Sequence, residues 1–128
     1  VIEILDRLDR EGILYAMGSN GSLEKMEITL GQHGLMDRFR VVLSGQAIGN
    51  PKPAPDVYLQ AAVACGAQPE RCVVIEDSAS GAKAALAAGM RCFGFAAHGP
   101  NTPTARNLAA LGVPLFGRME ELPELLGL

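Results

Sequence analysis

Two adjacent carboxylates, Glu76 and Asp77, follow the apolar run "VVI" and precede the alanine-rich segment "SASGAKAALAAGM". Neighbouring carboxylates at a half-buried position repel each other unless a cation lies nearby. One acid alone can be explained by helix capping, because Asp77 and Ser78 are both favoured residue types before a helix. The second acid has no such explanation. The pair therefore predicts a cation site, and Mg²⁺ prefers oxygen ligands from one or two carboxylates.

Three further polar residues could act on a phosphate group. Ser19 and Asn20 follow the apolar segment "ILYAM", and Lys52 lies in the loop "GNPKPAPD". Each taken singly is an ordinary turn, cap or solvated residue. Together they supply a hydroxyl, backbone N–H groups at a helix start and an ammonium, which all suit phosphate. With Glu76 and Asp77, the set predicts a joint site for phosphate and Mg²⁺.

The elements that must position these residues alternate along the chain between short apolar strands and helices. This alternation predicts an α/β fold with a parallel sheet covered on both faces. The predicted strands are residues 13–17, 41–45, 71–77, 91–96 and the segment "VPLFG". The predicted helices are the opening segment up to Gly12, residues 22–33, 56–65 and 79–88, one ending at Leu111, and 119–126. In such sheets the ligand lies beyond the carboxyl ends of the strands. Those ends carry Ser19, Asn20, Ser44, Glu76, Asp77 and His98.

Composition narrows the class of protein. The length of 128 residues predicts one domain, residues 1–128, with 48% hydrophobic and 20% charged residues. The net charge of −3 and the lack of a basic cluster argue against a nucleic-acid partner. The apolar runs are too short and too interrupted to predict a membrane span. Three cysteines without C-x-x-C spacing are typical of reduced thiols and a cytoplasmic location.

Three ordered segments, "YAMGSNGS", "GNPKPAPDVYLQAA" and "CVVIEDSASGAKAALAAGM", carry a family resemblance. The chain resembles the haloacid dehalogenase superfamily, and within it the sugar-phosphatase branch that includes β-phosphoglucomutase, phosphoglycolate phosphatase and 6-phosphogluconate phosphatase. The resemblance implies a Rossmann-like core and Mg²⁺ as the cofactor. It also implies hydrolysis of a small-molecule phosphate ester, such as a sugar phosphate, through an aspartyl-phosphate.

The resemblance also assigns roles to the predicted site residues. It implies that Ser19 and the backbone N–H of Asn20 bind the transferring phosphoryl group. Lys52 would neutralise the nucleophile and the phosphoryl oxygens, so that Lys52 and Ser19 are the catalytic residues of this chain. Glu76 and Asp77 would hold the metal, with Asp77 the stronger candidate. A cis peptide bond is expected between Lys52 and Pro53, which proline permits.

The chain departs from the family pattern in one important respect. The nucleophile and the general acid–base of the family come from a D-x-D strand, and no D-x-D occurs in this chain. The segment "DRLDRE" is predicted to be helical, with Asp6 and Asp9 as surface charges. The helical cap is absent, and the chain opens inside an amphipathic helix without Met. We therefore expect the C-terminal part of a core domain, lacking the strand between those that end at Met17 and Asp77 and inactive on its own.

Alternatives remain open at this point. A phosphosugar mutase of the same superfamily differs mainly in the cap and the acid–base residues. A receiver-type signalling domain has similar parts, but its acids precede the hydroxyl and the lysine, whereas here they come last. A non-catalytic remnant used as a binding module is the third alternative.

Overall fold

The computed structural model describes residues 2–128, so Val1 of the predicted first helix lies outside the described residues. Five strands run parallel within their sheets. They are β1 (Met17–Ser19), β2 (Val42–Ser44), β3 (Val73–Glu76), β4 (Arg91–Phe95) and β5 (Leu115–Phe116). The helices are α1 (Ile2–Arg10), α2 (Leu23–Gln32), α3 (Gly45–Ile48), α4 (Asp56–Ala64), α5 (Ala79–Ala87), α6 (Pro103–Ala110) and α7 (Leu122–Leu125). Short 3₁₀ turns cover Met36–Arg38, Pro69–Arg71 and Met119–Glu121.

Two apolar cores on opposite faces of the sheet confirm the predicted α/β architecture. Successive strand residues point to opposite faces. Val74 and Cys92 join the core beneath α4, α5 and α6, whereas Phe93 joins a second core with Ile4 of α1 and Leu122 of α7. The helices therefore cover both faces, as a parallel sheet requires.

The sheet is divided in two, which the strand pattern alone did not predict. β1 pairs with β2, and β3, β4 and β5 form a separate sheet in that order. Within residues 2–128, β1 and β3 each have one edge without a strand partner. The break falls between β1 and β3, where the family resemblance places the absent strand.

Three boundaries differ from the sequence prediction. The first strand begins at Met17 instead of spanning residues 13–17, and Ile13 and Leu14 are 41% and 58% exposed. The loop predicted after β2 contains α3, because the Ser44 hydroxyl accepts a hydrogen bond from the Ala47 N–H and caps its start. Residues 71 and 72 precede β3, since a 3₁₀ turn occupies Pro69–Arg71. The remaining elements agree to within a few residues at their ends, beyond which boundaries carry little meaning.

No helix within residues 2–128 is both long enough and apolar enough to cross a bilayer.

Candidate functional site

Lys52 connects the carboxyl ends of β1 and β3 across the break between the sheets. Its Nζ donates to the Gly18 carbonyl oxygen at 3.1 Å and to Glu76 Oε2 at 2.5 Å. The two side chains are only 9% and 7% exposed. The loop lysine is therefore a buried ion-pair partner and not a solvated surface residue. The Lys52–Pro53 peptide bond is cis, as expected.

Both carboxylate oxygens of Glu76 are already hydrogen-bonded. Oε2 accepts from Lys52 Nζ and from the Tyr58 hydroxyl. Oε1 accepts from the Asp77 N–H at 3.2 Å and from the Ser78 hydroxyl at 3.4 Å. A carboxylate that receives four donors has little remaining capacity for a metal ion. In this arrangement Glu76 serves as the counter-ion of Lys52.

Asp77, in contrast, has a side chain that is available for a cation. Asp77 is exposed, and its carboxylate makes no hydrogen bond or ion pair with any residue from 2 to 128. The cap of α5 comes from Ser78, whose hydroxyl accepts from the Gly81 N–H at 3.2 Å. Capping therefore does not explain Asp77. Since Mg²⁺ commonly takes one or two carboxylates together with phosphate oxygens and water, Asp77 fits as one ligand.

The described part of the chain does not supply a complete metal site. No group of three or more His, Cys, Asp or Glu side chains comes together among residues 2–128. At the carboxyl ends of β1 and β3, the described residues thus offer one unengaged carboxylate, that of Asp77, since Glu76 is bonded to other groups.

The Asn20 side chain holds the Lys52 backbone at both of its polar groups. Asn20 Oδ1 accepts from the Lys52 N–H at 2.7 Å, and Asn20 Nδ2 donates to the Lys52 carbonyl oxygen at 3.3 Å. The end of β1 is thereby fastened to the proline-rich loop. The sequence predicted only a backbone role for Asn20, because a separation of 32 residues gives no local signal for this contact.

Ser19 stands at the end of β1 with a hydroxyl proton free to donate. Its Oγ accepts from the Gly21 N–H at 3.0 Å, and it donates to no acceptor within the described chain. Ser44, at the end of β2, is 2% exposed and donates to the Gly21 carbonyl oxygen at 2.7 Å. Ser44 thus fixes the loop beside Ser19. His98 lies exposed in the loop after β4.

Tyr58 is a site residue that the sequence analysis did not identify. It lies in α4, is 8% exposed, and its hydroxyl donates to Glu76 Oε2. Burial, reinforced by the neighbouring Glu76 carboxylate, raises the pKa of Tyr58 well above its usual value, so the phenol stays protonated. Helical periodicity marks Tyr58 only as a core residue, and its polar contact depends on the tertiary fold.

A cleft of about 730 Å³ opens beside these residues. It is lined by Asn20, Gly21, Ser22, Lys25, Gln46, Gly49 and Pro51. No carboxylate lines it, and Lys25 is its single charged residue. The cleft borders the candidate site through Asn20.

This geometry agrees with a match to a known family. The family model described as haloacid dehalogenase-like hydrolase matches residues 1–95. The chain belongs to this family. The matched region contains Ser19, Lys52 and the acid pair, and it confirms the resemblance drawn from the three sequence segments.

Individual relatives support the sugar-phosphatase branch. The chain is 34% identical over 108 residues to the 6-phosphogluconate phosphatase of Escherichia coli, covering 84% of this chain and 47% of that protein. A putative β-phosphoglucomutase from Thermotoga maritima superposes with a TM-score of 0.88 at 29% identity, over 99% of this chain and 58% of that one. A hydrolase of the family from Deinococcus radiodurans, with bound phosphate and sodium, superposes with a TM-score of 0.85 at 34% identity. This match covers 98% of this chain and 56% of that one. The chain thus spans about half the length of these relatives.

Proposed function

We propose that the protein containing this chain is a Mg²⁺-dependent phosphatase that hydrolyses a small phosphorylated metabolite, with sugar phosphates as the substrate class. The observation that carries the proposal is the buried Lys52 ammonium, which Gly18 and Glu76 hold at the shared end of β1 and β3. Sugar-phosphatase relatives and a phosphate-bound family member support the same reading.

Lys52 and Ser19 are the groups that would stabilise charge on the phosphoryl oxygens. Two of the three ammonium protons of Lys52 are used by Gly18 and Glu76, which leaves one to donate to a phosphoryl oxygen. The Ser19 hydroxyl proton is the second donor. Fixed donors aimed at a position where negative charge develops are an effective source of catalysis.

Asp77 would hold the metal in this proposal. When bound, Mg²⁺ supplies charge neutralisation at the phosphate. The contribution of this chain is the free Asp77 carboxylate, together with Glu76, whose ion pair keeps Lys52 in place nearby.

The nucleophile of the proposed reaction lies outside this sequence, since no D-x-D occurs in its 128 residues. An aspartate carboxylate would attack phosphorus while the bond from phosphorus to the alcohol oxygen breaks. The departing alcohol oxygen would take a proton from the general acid that the family's D-x-D strand supplies. Water would then attack the aspartyl-phosphate, releasing inorganic phosphate and restoring the aspartate carboxylate. Made alone, this chain is expected to release no phosphate from p-nitrophenyl phosphate or sugar phosphates with Mg²⁺, and robust turnover by it would contradict this assignment.

Steady-state hydrolysis of a sugar-phosphate panel by the complete protein tests the proposal. Lys52→Ala should lower kcat by roughly 10²–10³-fold, as losing one charge-stabilising donor commonly does. Lys83→Ala, at an exposed position on α5, is the matched control and should leave kcat unchanged. A normal kcat of Lys52→Ala would mean that Lys52 has only a structural role.

The metal assignment has a separate test. Asp77→Asn should raise the Mg²⁺ concentration needed for half-maximal activity, while the exposed Asp37→Asn should not. Ser78 supplies the cap of α5, so Asp77→Asn leaves the helix start intact. Identical Mg²⁺ titrations for the two variants would refute Asp77 as a ligand.

A phosphosugar mutase is the second candidate, favoured by the similarity to the putative β-phosphoglucomutase. Phosphorus-31 NMR of the product separates the two activities, because a mutase yields an isomeric sugar phosphate whereas a phosphatase yields inorganic phosphate. We also propose a cytoplasmic location, in keeping with the three free thiols.

A further inference from the structure

The Tyr58 side chain touches both members of the buried ion pair. Its hydroxyl donates to Glu76 Oε2, the same oxygen that accepts from Lys52 Nζ. The Lys52 ammonium also lies 4.9 Å from the centre of the Tyr58 ring, within the range of a cation–π contact. Tyr58 therefore contacts Lys52 through the face of its ring and contacts Glu76 through its hydroxyl.

Of the groups around Glu76 Oε2, Tyr58 is the rigid one. Lys52 reaches the oxygen through a flexible four-carbon stem, whereas the Tyr58 ring is packed in the core with Val57 and Ala62. The bonds to Glu76 Oε1, at 3.2 and 3.4 Å, lie at or beyond the upper end of the usual range of hydrogen-bond distances. Among the hydrogen-bonding partners of Glu76, the tyrosine hydroxyl is thus the one that most restricts the direction of the carboxylate.

We propose that Tyr58 is a positioning residue whose hydroxyl fixes Glu76 and, through Glu76, aims the Lys52 ammonium. The catalytic consequence rests on the proposed phosphatase function. Without the hydroxyl, Glu76 Oε2 keeps only its flexible partner, and the Lys52–Glu76 pair gains freedom to turn. Tyr58 makes no side-chain hydrogen bond to Asp77 and does not line the cleft, so its loss should affect charge stabilisation more than binding.

The test compares Tyr58→Phe with Tyr15→Phe in the complete protein. Tyr15 is the other tyrosine of the chain, and its hydroxyl bonds to Asp9 at the surface. For Tyr58→Phe we expect kcat to fall by about tenfold or more, while KM and the Mg²⁺ activation constant change less than about twofold. Tyr15→Phe should leave all three unchanged. A lowered melting temperature with normal kcat would mean that Tyr58 is merely structural and would overturn the proposal.

A second readout does not depend on activity. With ¹⁵N-labelled lysine, the ammonium signal of Lys52, assigned by its loss in Lys52→Arg, reports exchange of its protons with water. Tyr58→Phe should speed this exchange at least fivefold, while Lys25 and Lys83 serve as unchanged references. Unchanged exchange overturns the proposal even if kcat falls. If the wild-type protein hydrolyses no phosphate ester, the proposed function fails, and the exchange measurement still decides the role of Tyr58.

Discussion

Gly81→Ala is expected to destabilise the protein, although glycine-to-alanine changes inside helices usually stabilise. A Cβ built on Gly81 would overlap the Glu76 carboxyl group. The carboxylate is the free end of a side chain and could move, but moving it breaks the buried bonds to Lys52 and Tyr58. Gly81 is therefore the residue that allows Glu76 to lie against the first turn of α5.

The expected magnitude follows from those two bonds. Hydrogen bonds to charged groups each contribute about 1.5–3 kcal/mol, and relaxation recovers part of the loss. The alanine itself returns up to about 1 kcal/mol in a helix. We expect the free energy of unfolding to fall by roughly 2–4 kcal/mol, measured by urea denaturation. The melting temperature should fall by roughly 6–15 °C in a chain of this size.

Two controls make the expectation sharp. Gly31→Ala, inside α2 with no neighbouring atom within 4 Å of the new Cβ, should be neutral or stabilising by up to about 1 kcal/mol. In a Glu76→Ala background the obstacle is gone, so Gly81→Ala should become neutral or stabilising as well. If Gly81→Ala in the wild-type background is as stable as Gly31→Ala, the carboxylate does not lie over Gly81 and the reasoning about the ion pair is refuted.

Three smaller predictions concern other contacts. Asn20→Ala should lower phosphatase activity, because it removes both hydrogen bonds to the Lys52 backbone. Asn50→Ala removes a 3.0 Å bond to Asp56 and should leave the activity unchanged. Equal activities of the two variants would refute a role of Asn20 in holding Lys52. Burial, together with the Glu76 charge, raises the pKa of Cys92 to about 11, so iodoacetamide at pH 8.5 should modify the other two thiols first, as mass spectrometry would show. The hydrogen bond from Arg38 lowers the pKa of Asp9. Because the folded-state pKa is lowered, ionised Asp9 should stabilise the folded protein slightly above its unfolded-state pKa of about 3.9. This stabilisation should be lost as the pH falls through the folded-state pKa. The stability gap to Asp9→Asn in urea denaturation should therefore close at low pH, and a gap that persists would refute this.

The alternation of apolar strands and helices was sufficient to predict the architecture from sequence. Helix ends were also predictable, because glycine adopts left-handed backbone conformations at little cost. Gly12, Gly34 and Gly66 have φ of 70°, 65° and 65° at the predicted stops. The division of the sheet was harder to predict from sequence. A strand pattern shows which residues are apolar, but it does not show which strand edges are paired.

Sequence order predicted several polar residues that the fold brings together at the candidate site, but it did not predict their contacts. The family resemblance favoured Asp77 over Glu76 as the metal ligand, and the tertiary structure supplies a physical reason. Burial and four donors engage Glu76, whereas the Asp77 carboxylate has no partner among residues 2–128. Tyr58 and the Asn20 side chain act through contacts between residues 18 and 32 positions apart. Such contacts leave no trace in local composition or periodicity, so only the tertiary structure reveals them.

The position of the Lys52–Glu76 pair links the site to the division of the sheet. The pair joins the end of β1 to the end of β3, two strands that share no backbone pairing within residues 2–128. Burying a charge pair carries a desolvation penalty, and removing one partner costs more than the pair contributes. A strand that entered between β1 and β3 would bring its own carboxyl end directly to this ion pair. The Lys52–Glu76 pair therefore belongs both to the candidate site and to the contact between the two sheets.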